Sequence, residues 1–105
     1  MSAESMRANS GEVLLLASRR ILDLLAVSCA DKELVKSISK INENTMLGLI
    51  DTMCEQENIK DVYDFSQKKH KLEDKLQMLF PDVQLAQTTK NSIAALVAII
   101  LKHSA

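Results

Sequence analysis

Three residues in this chain of 105 are strong helix breakers: Gly11, Gly48 and Pro81. Sandwiches and barrels consume Gly and Pro at their many turns, and disordered linkers are richer still in both, so this scarcity points to helices. The rest of the chain agrees. No stretch alternates convincingly at period two, and no unit repeats at a period of about 20–50 residues, which sets aside a solenoid. Aromatic residues are limited to Tyr63, Phe65 and Phe80, so Leu, Ile, Val, Met and Ala must build the core. A chain of this length fits one domain and buries about 65% of its unfolded surface, enough for a core without disulfide staples.

Helical spacing marks the elements. Ser10 is a candidate N-cap for a helix that begins near Gly11 and ends around Cys29-Ala30, with residues 1–9 expected to be a flexible lead. Its apolar positions, among them Val13, Leu14, Ala17, Ile21, Leu24 and Leu25, recur at three and four, and Leu15, Leu16 and Leu22 widen that face beyond one stripe. Asp31 reads as the next N-cap, ahead of the stripe Leu34, Val35, Ile38 and Ile41. The next apolar run, Met46, Leu47, Leu49, Ile50, Met53 and Cys54, either continues one long helix or begins a second one at Asn42 to Asn44; a kink or short break there is favoured, because Asn competes with the helix for its own backbone. Ile59, Val62 and Phe65 are expected to form a short separate turn. Ser66 is then expected to cap a helix that Pro81 stops, and Asp82 to cap the last one. The expected fold is all-α: a compact bundle of four to five antiparallel helices with short connections, spanning residues 10–105.

The last helix carries nine consecutive residues without a polar side chain, Ile93 to Leu101. A spanning helix needs about 20, so this is no membrane span. It is apolar all round, as a central helix is, and Ala94, Ala95 and Ala98 would let a neighbour approach closely. Two over-wide apolar helices in one small domain supply more apolar surface than a single core easily consumes, so the surplus is covered either by the broad first helix or by another molecule. The surplus marks Leu15, Leu16 and Leu22 on the first helix and Leu96, Val97, Ile100 and Leu101 on the last as candidate partner-binding residues.

Catalytic and cofactor signatures are missing from the pattern. Cys29, Cys54, His70 and His103 are separated by more than about ten residues each, against the close pairs of a zinc site. Both cysteines sit in apolar surroundings, unlike the electropositive, partly exposed setting of a reactive thiol. With glycine only at positions 11 and 48, there is no material for a phosphate-cradling loop. No metal, cofactor or small-molecule substrate is implied. An enzyme would need a site assembled in space, with Cys54 or His70 beside a carboxylate. Glu73 with Lys69 or Gln77 reads as a solvated pair at helical spacing.

The densest basic run is Lys68 to Lys71, and Lys68, Lys71 and Lys75 share a helix face, with Lys69 beside it, that could track a phosphate backbone. The formal net charge of −1 disfavours that use, and a nuclear, nucleic-acid-associated regulator is therefore the alternative reading. The segment Ser28-Cys29-Ala30 has the small-x-small form of a signal-peptidase site, but Asp23, Arg19 and Arg20 interrupt the apolar run before it, and Glu4 and Glu12 replace a positive n-region. Two cysteines and no Asn-x-Ser/Thr sequon fit an intracellular setting, cytoplasm or nucleus.

Leu79-Phe80-Pro81 followed by a helix that ends Ile99-Ile100-Leu101-Lys102-His103 resembles the helical N-terminal domain of COMM-domain proteins over about a quarter of the chain. The resemblance implies a helical fold and transfers no residue roles. The function expected from the residues is a non-enzymatic helical module, an adaptor, scaffold or regulatory subunit. Its partner is another protein or a second copy of itself.

Overall fold

The computed structural model describes the backbone of residues 3–104 and the side chains of residues 11–104. Five helices follow one another: α1 (Ala3–Val27), α2 (Lys32–Lys40), α3 (Glu43–Gln56), α4 (Val62–Leu79) and α5 (Gln87–Ser104). Helix α1 packs against α2, α3 and α5, while α4 packs against α3 and α5. The result is the all-α bundle that the scarcity of breakers requires. None of the described helices is long and apolar enough to cross a membrane.

The chain begins its first helix earlier than Ser10. From Ala3 the backbone is already helical, so Ser10 lies inside α1 and not at its start. The expected flexible lead, residues 1–9, falls on positions that lie in whole or in their side chains outside the described residues. The next two starts follow the sequence. Asp31 is extended and its side chain accepts from the Glu33 N–H at 2.9 Å. Asn42 is also extended and accepts from the Thr45 N–H at 2.8 Å. Each supplies an acceptor for an N–H that the first turn leaves without an intrahelical partner. The break at Asn42 therefore separates two helices.

Helix α3 closes through a left-handed residue, Asn58, at φ 57. The Ile59 N–H reaches the Cys54 carbonyl at 2.8 Å and the Asn58 N–H reaches the Glu55 carbonyl at 3.1 Å. These are the two crossed bonds of a Schellman ending, and Ile59 and Cys54, which the motif brings together, are both buried.

Two starts differ from the sequence reading. Asp61, not Ser66, caps α4: its carboxylate accepts from the Asp64 N–H at 2.8 Å, and Asp64 in return accepts from the Lys60 N–H at 3.0 Å. Two reciprocal bonds outweigh one hydroxyl, so Val62 and Phe65 join α4 in place of forming a separate turn. Asp82 does not cap α5, which starts only at Gln87. The intervening segment is held by tertiary contacts instead. Val83 is buried and forms an antiparallel bridge with Cys29, and the Gln84 N–H donates to the Ser28 carbonyl at 3.1 Å.

One contiguous core joins the helices through Ile21, Leu25, Ile38, Met46, Ile50, Leu72, Leu76, Val97 and Ile100. Ser18 is the buried polar residue among them, and its hydroxyl donates to the Leu14 carbonyl one turn back at 2.9 Å. Gly48 is exposed, and a Cβ there would meet no atom within 4 Å. It does not serve close helix approach.

Candidate functional site

The packing sorts the seven candidate partner-binding residues into two groups. Leu22, Val97, Ile100 and Leu101 are buried in the core, with Val97 and Ile100 at 0% exposure. These four assignments are corrected: a buried side chain cannot be offered to a partner without opening the fold. The physical reason is helical phase. A helix that is apolar all round in sequence still turns only one side inward. On α5 that side is Ile93, Val97, Ile100 and Leu101, whereas Ala95 and Ile99 face out. Leu15 and Leu96 are half-buried, and Leu16 stands 67% exposed.

Leu16 is the ridge between two apolar grooves. On one side, toward α3, lies a cleft of about 310 Å³ lined by Glu12, Leu15, Leu16, Arg19 and Glu43. On the other, toward α5, lies a cleft of about 240 Å³ lined by Val13, Leu16, Ala17, Leu96 and Ile99. Val13 and Ile99 were not among the sequence candidates for this face. Their signal was spacing: each lies three residues from a candidate on its own helix, Val13 from Leu16 and Ile99 from Leu96, and residues three apart are neighbours on a helix surface.

The α3 groove is framed by charge. The Arg19 Nε donates to Glu43 Oε1 at 2.9 Å, and an Arg19 terminal nitrogen donates to the Ile41 carbonyl at 3.1 Å. Arg19 thereby clasps α1 to the α2–α3 junction. A hydrogen bond to the main chain at Glu43 itself, with the Arg19 side chain adding to it, holds the Glu43 carboxyl below its usual range. Among the described residues the α5 groove has no charged side chain in its lining.

The basic run is partly occupied. Lys68 Nζ donates to the Glu57 carbonyl at 2.8 Å. Lys75 Nζ donates to Gln56 Oε1 at 3.1 Å and lies 4.0 Å from Glu57 Oε1. Both ammonium groups thus sit at the C-terminal end of α3, where carbonyls and the helix dipole favour cations. Lys69 and Lys71 remain exposed. The pairing of Glu73 with Gln77 does not form: the Gln77 amide turns to the Phe80 and Val83 carbonyls, and Glu73 Oε1 is buried without a hydrogen-bond partner.

Cys54 borders a cleft of about 320 Å³ that also includes Asp51, Glu55, Lys60 and Ser104. A thiol beside carboxylates satisfies part of the condition for a spatially assembled site, but the electrostatics run the wrong way. Burial, with the Asp51 charge adding to it, pushes the Cys54 thiol up to about 11, so it stays protonated at neutral pH. A nucleophilic cysteine needs the reverse shift. Cys29 is half-buried, and His70 and His103 are exposed. Among the described residues no three His, Cys, Asp or Glu side chains gather closely enough to hold a metal ion.

A smaller cleft of about 170 Å³ lies between α3 and α4, lined by Met53, Gln56, Lys75, Met78 and Leu79, with Met78 well exposed. Compared with protein-family models, curated proteins and solved structures, the chain gives no match.

Proposed function

We propose that this protein is a non-enzymatic helical interaction module that docks a partner protein on the face around Leu16. One observation carries the reading. A large aliphatic side chain stands two-thirds exposed between two apolar grooves, on a helix that the core holds firmly through Ile21 and Leu25. Exposed apolar surface that is contiguous and rimmed by charge is the usual form of a protein-binding patch. Glu12, Arg19 and Glu43 supply the rim. The protonated Cys54 thiol supports the non-enzymatic side of the proposal. Two free cysteines support an intracellular setting, cytoplasm or nucleus. The basic run is not chosen as the carrier, because the ammonium groups of Lys68 and Lys75 are already engaged by the end of α3.

The test is site-specific photo-crosslinking in cells that express the protein. A photoreactive residue replaces Leu16 in one sample and Met78, an exposed apolar residue on α4, in a control. A discrete adduct from position 16 that the control lacks is the expected result. No adduct from position 16, or the same smear from both, would overturn the assignment.

A further inference from the structure

Glu12, Leu16 and Arg20 lie four residues apart along one ridge of α1, and the two charged members are exposed on either side of the apolar one. We infer that the occupant of this face is a second copy of the chain, packed antiparallel along α1 about a two-fold axis at Leu16. The inference rests on the docking reading above and names its partner.

The argument is self-complementarity. In an antiparallel pair centred on Leu16, the residue four places before the centre faces the residue four places after it. Glu12 of one copy then meets Arg20 of the other, and the symmetry repeats the contact, so each axis side carries one opposite-charge pair about 6 Å along the helix from the centre. A parallel copy would set Glu12 against Glu12 and Arg20 against Arg20. Among the described residues neither Glu12 nor Arg20 forms an ion pair within its own chain.

Shape supports the same arrangement. An isologous interface uses one patch twice, so the patch must hold both a projection and a recess. Here the Leu16 projection is flanked by the apolar α5 groove, whose floor includes Ala17 and whose wall is Leu96 and Ile99. Leu16 of each copy enters that groove of the other, as a ridge enters a groove in helix packing. The other side of the ridge carries the Arg19–Glu43 pair and stays at the wetter rim.

Light scattering over a concentration series tests this on the full chain, with the variants Leu16→Glu, Glu12→Arg, Arg20→Glu and the double Glu12→Arg/Arg20→Glu. All three positions are at the surface, so the variants keep the fold. Circular dichroism confirms it for each. The expected result is a dimer for the native protein and a monomer for Leu16→Glu. Each single charge reversal weakens association at least about tenfold, because it creates two like-charge contacts, and the double reversal restores it. A native protein that stays monomeric at its highest soluble concentration overturns the proposal, and so does a dimer that the charge reversals leave unchanged. The crosslinker at position 16 separates the two readings. An adduct joining two copies supports both. An adduct to a different protein, from a native chain that is monomeric, overturns the second copy and leaves the docking face standing. No adduct ends both.

Discussion

Val97 and Leu16 look alike in the sequence, each an aliphatic residue within a run that is too apolar for one core. The structure separates them completely, at 0% and 67% exposure. Val97→Glu removes about 1.5–3 kcal/mol of side-chain burial. It also places a carboxyl group where water is excluded, at a cost of several kcal/mol even after the group neutralises itself. A domain of this size holds about 5–15 kcal/mol in total, so Val97→Glu consumes most or all of it and the protein unfolds or melts far below the native one. At a protein concentration low enough to keep the chain monomeric, Leu16→Glu changes stability by no more than about 0.5 kcal/mol, since the side chain it replaces is mostly in water. The milder Val97→Ala keeps the comparison measurable if the glutamate variant does not accumulate. It deletes two methyl groups and leaves a small cavity, for a loss of about 2 kcal/mol. At about 4–8 °C per kcal/mol that is a fall of roughly 8–16 °C in Tm. Thermal and urea unfolding followed by circular dichroism reads all three. If Leu16→Glu unfolds as readily as Val97→Glu, the packing of α1 on α5 described above is wrong. If Val97→Ala melts with the native protein, Val97 is not in the core.

Gly48→Ala adds a methyl group in open space inside α3, so it should raise stability by about 0.5–1 kcal/mol in a urea titration; a loss would mean that another surface approaches Gly48 closely. Cys54 makes the fold sensitive to alkali. Its thiol titrates near the ordinary value of 9.0 when unfolded and at about 11 when folded, so between those limits the unfolded chain holds fewer protons and stability falls as pH rises. Urea midpoints measured from pH 8.5 upward should show that fall, and Cys54→Ala should flatten it from a lower starting stability; an unchanged slope would remove Cys54 as its source. A thiol reagent at neutral pH should modify the half-buried Cys29 well before Cys54, and equal rates would contradict the burial assigned to Cys54.

The legible parts of this fold were those fixed by local chemistry. Asp31 could be read as a cap and Asn42 as a break because the contact that decides each, to an N–H in its own first turn, is local. The start of α4 was misread because Asp61 and Ser66 both suit a cap, and the deciding contact runs from Asp64 back to Lys60. The exposed apolar face around Leu16 was half legible. Apolar count and spacing picked out Leu15, Leu16 and Leu96, but which side of a helix turns outward depends on where its neighbours lie. That is why Leu22, Val97, Ile100 and Leu101 were grouped with them and belong to the core. The clasp from Arg19 to Glu43 spans 24 positions and has no signature in either segment.

The segment after α4 is the least legible, and it gives the sharpest test of how the α1 exit and the α5 entry are tied together. Pro81 stops the helix and leaves carbonyl groups without partners, as every helix end does. Asp82 could have started α5 at once, yet the chain stays non-helical to Gln87. The Gln77 amide explains it: its Nε2 donates to the Phe80 carbonyl at 3.2 Å and to the Val83 carbonyl at 2.8 Å. Those two bonds shape the turn that lays Val83 beside Cys29 and joins the α1 exit to the α5 entry. Gln77→Ala should therefore cost about 1–3 kcal/mol, the usual loss when a part-buried carbonyl loses its donor, here that of Val83, since the Phe80 carbonyl still accepts from the Val83 N–H at 3.0 Å. Gln77→Glu separates the hydrogen bonds from mere bulk. The side chain keeps its shape, but an ionised carboxylate only accepts, and it would face two acceptors. Its folded pKa should be raised above the unfolded one, so the variant loses stability as pH rises through the carboxylate range and recovers as pH falls below it. The native protein, with an amide at this position, lacks that component. Urea midpoints for the two proteins from about pH 3 to pH 7 would show the gap widening with pH. A constant gap would mean that the amide fills space without holding the turn, and that the Cys29–Val83 bridge is maintained by the burial of Val83 alone.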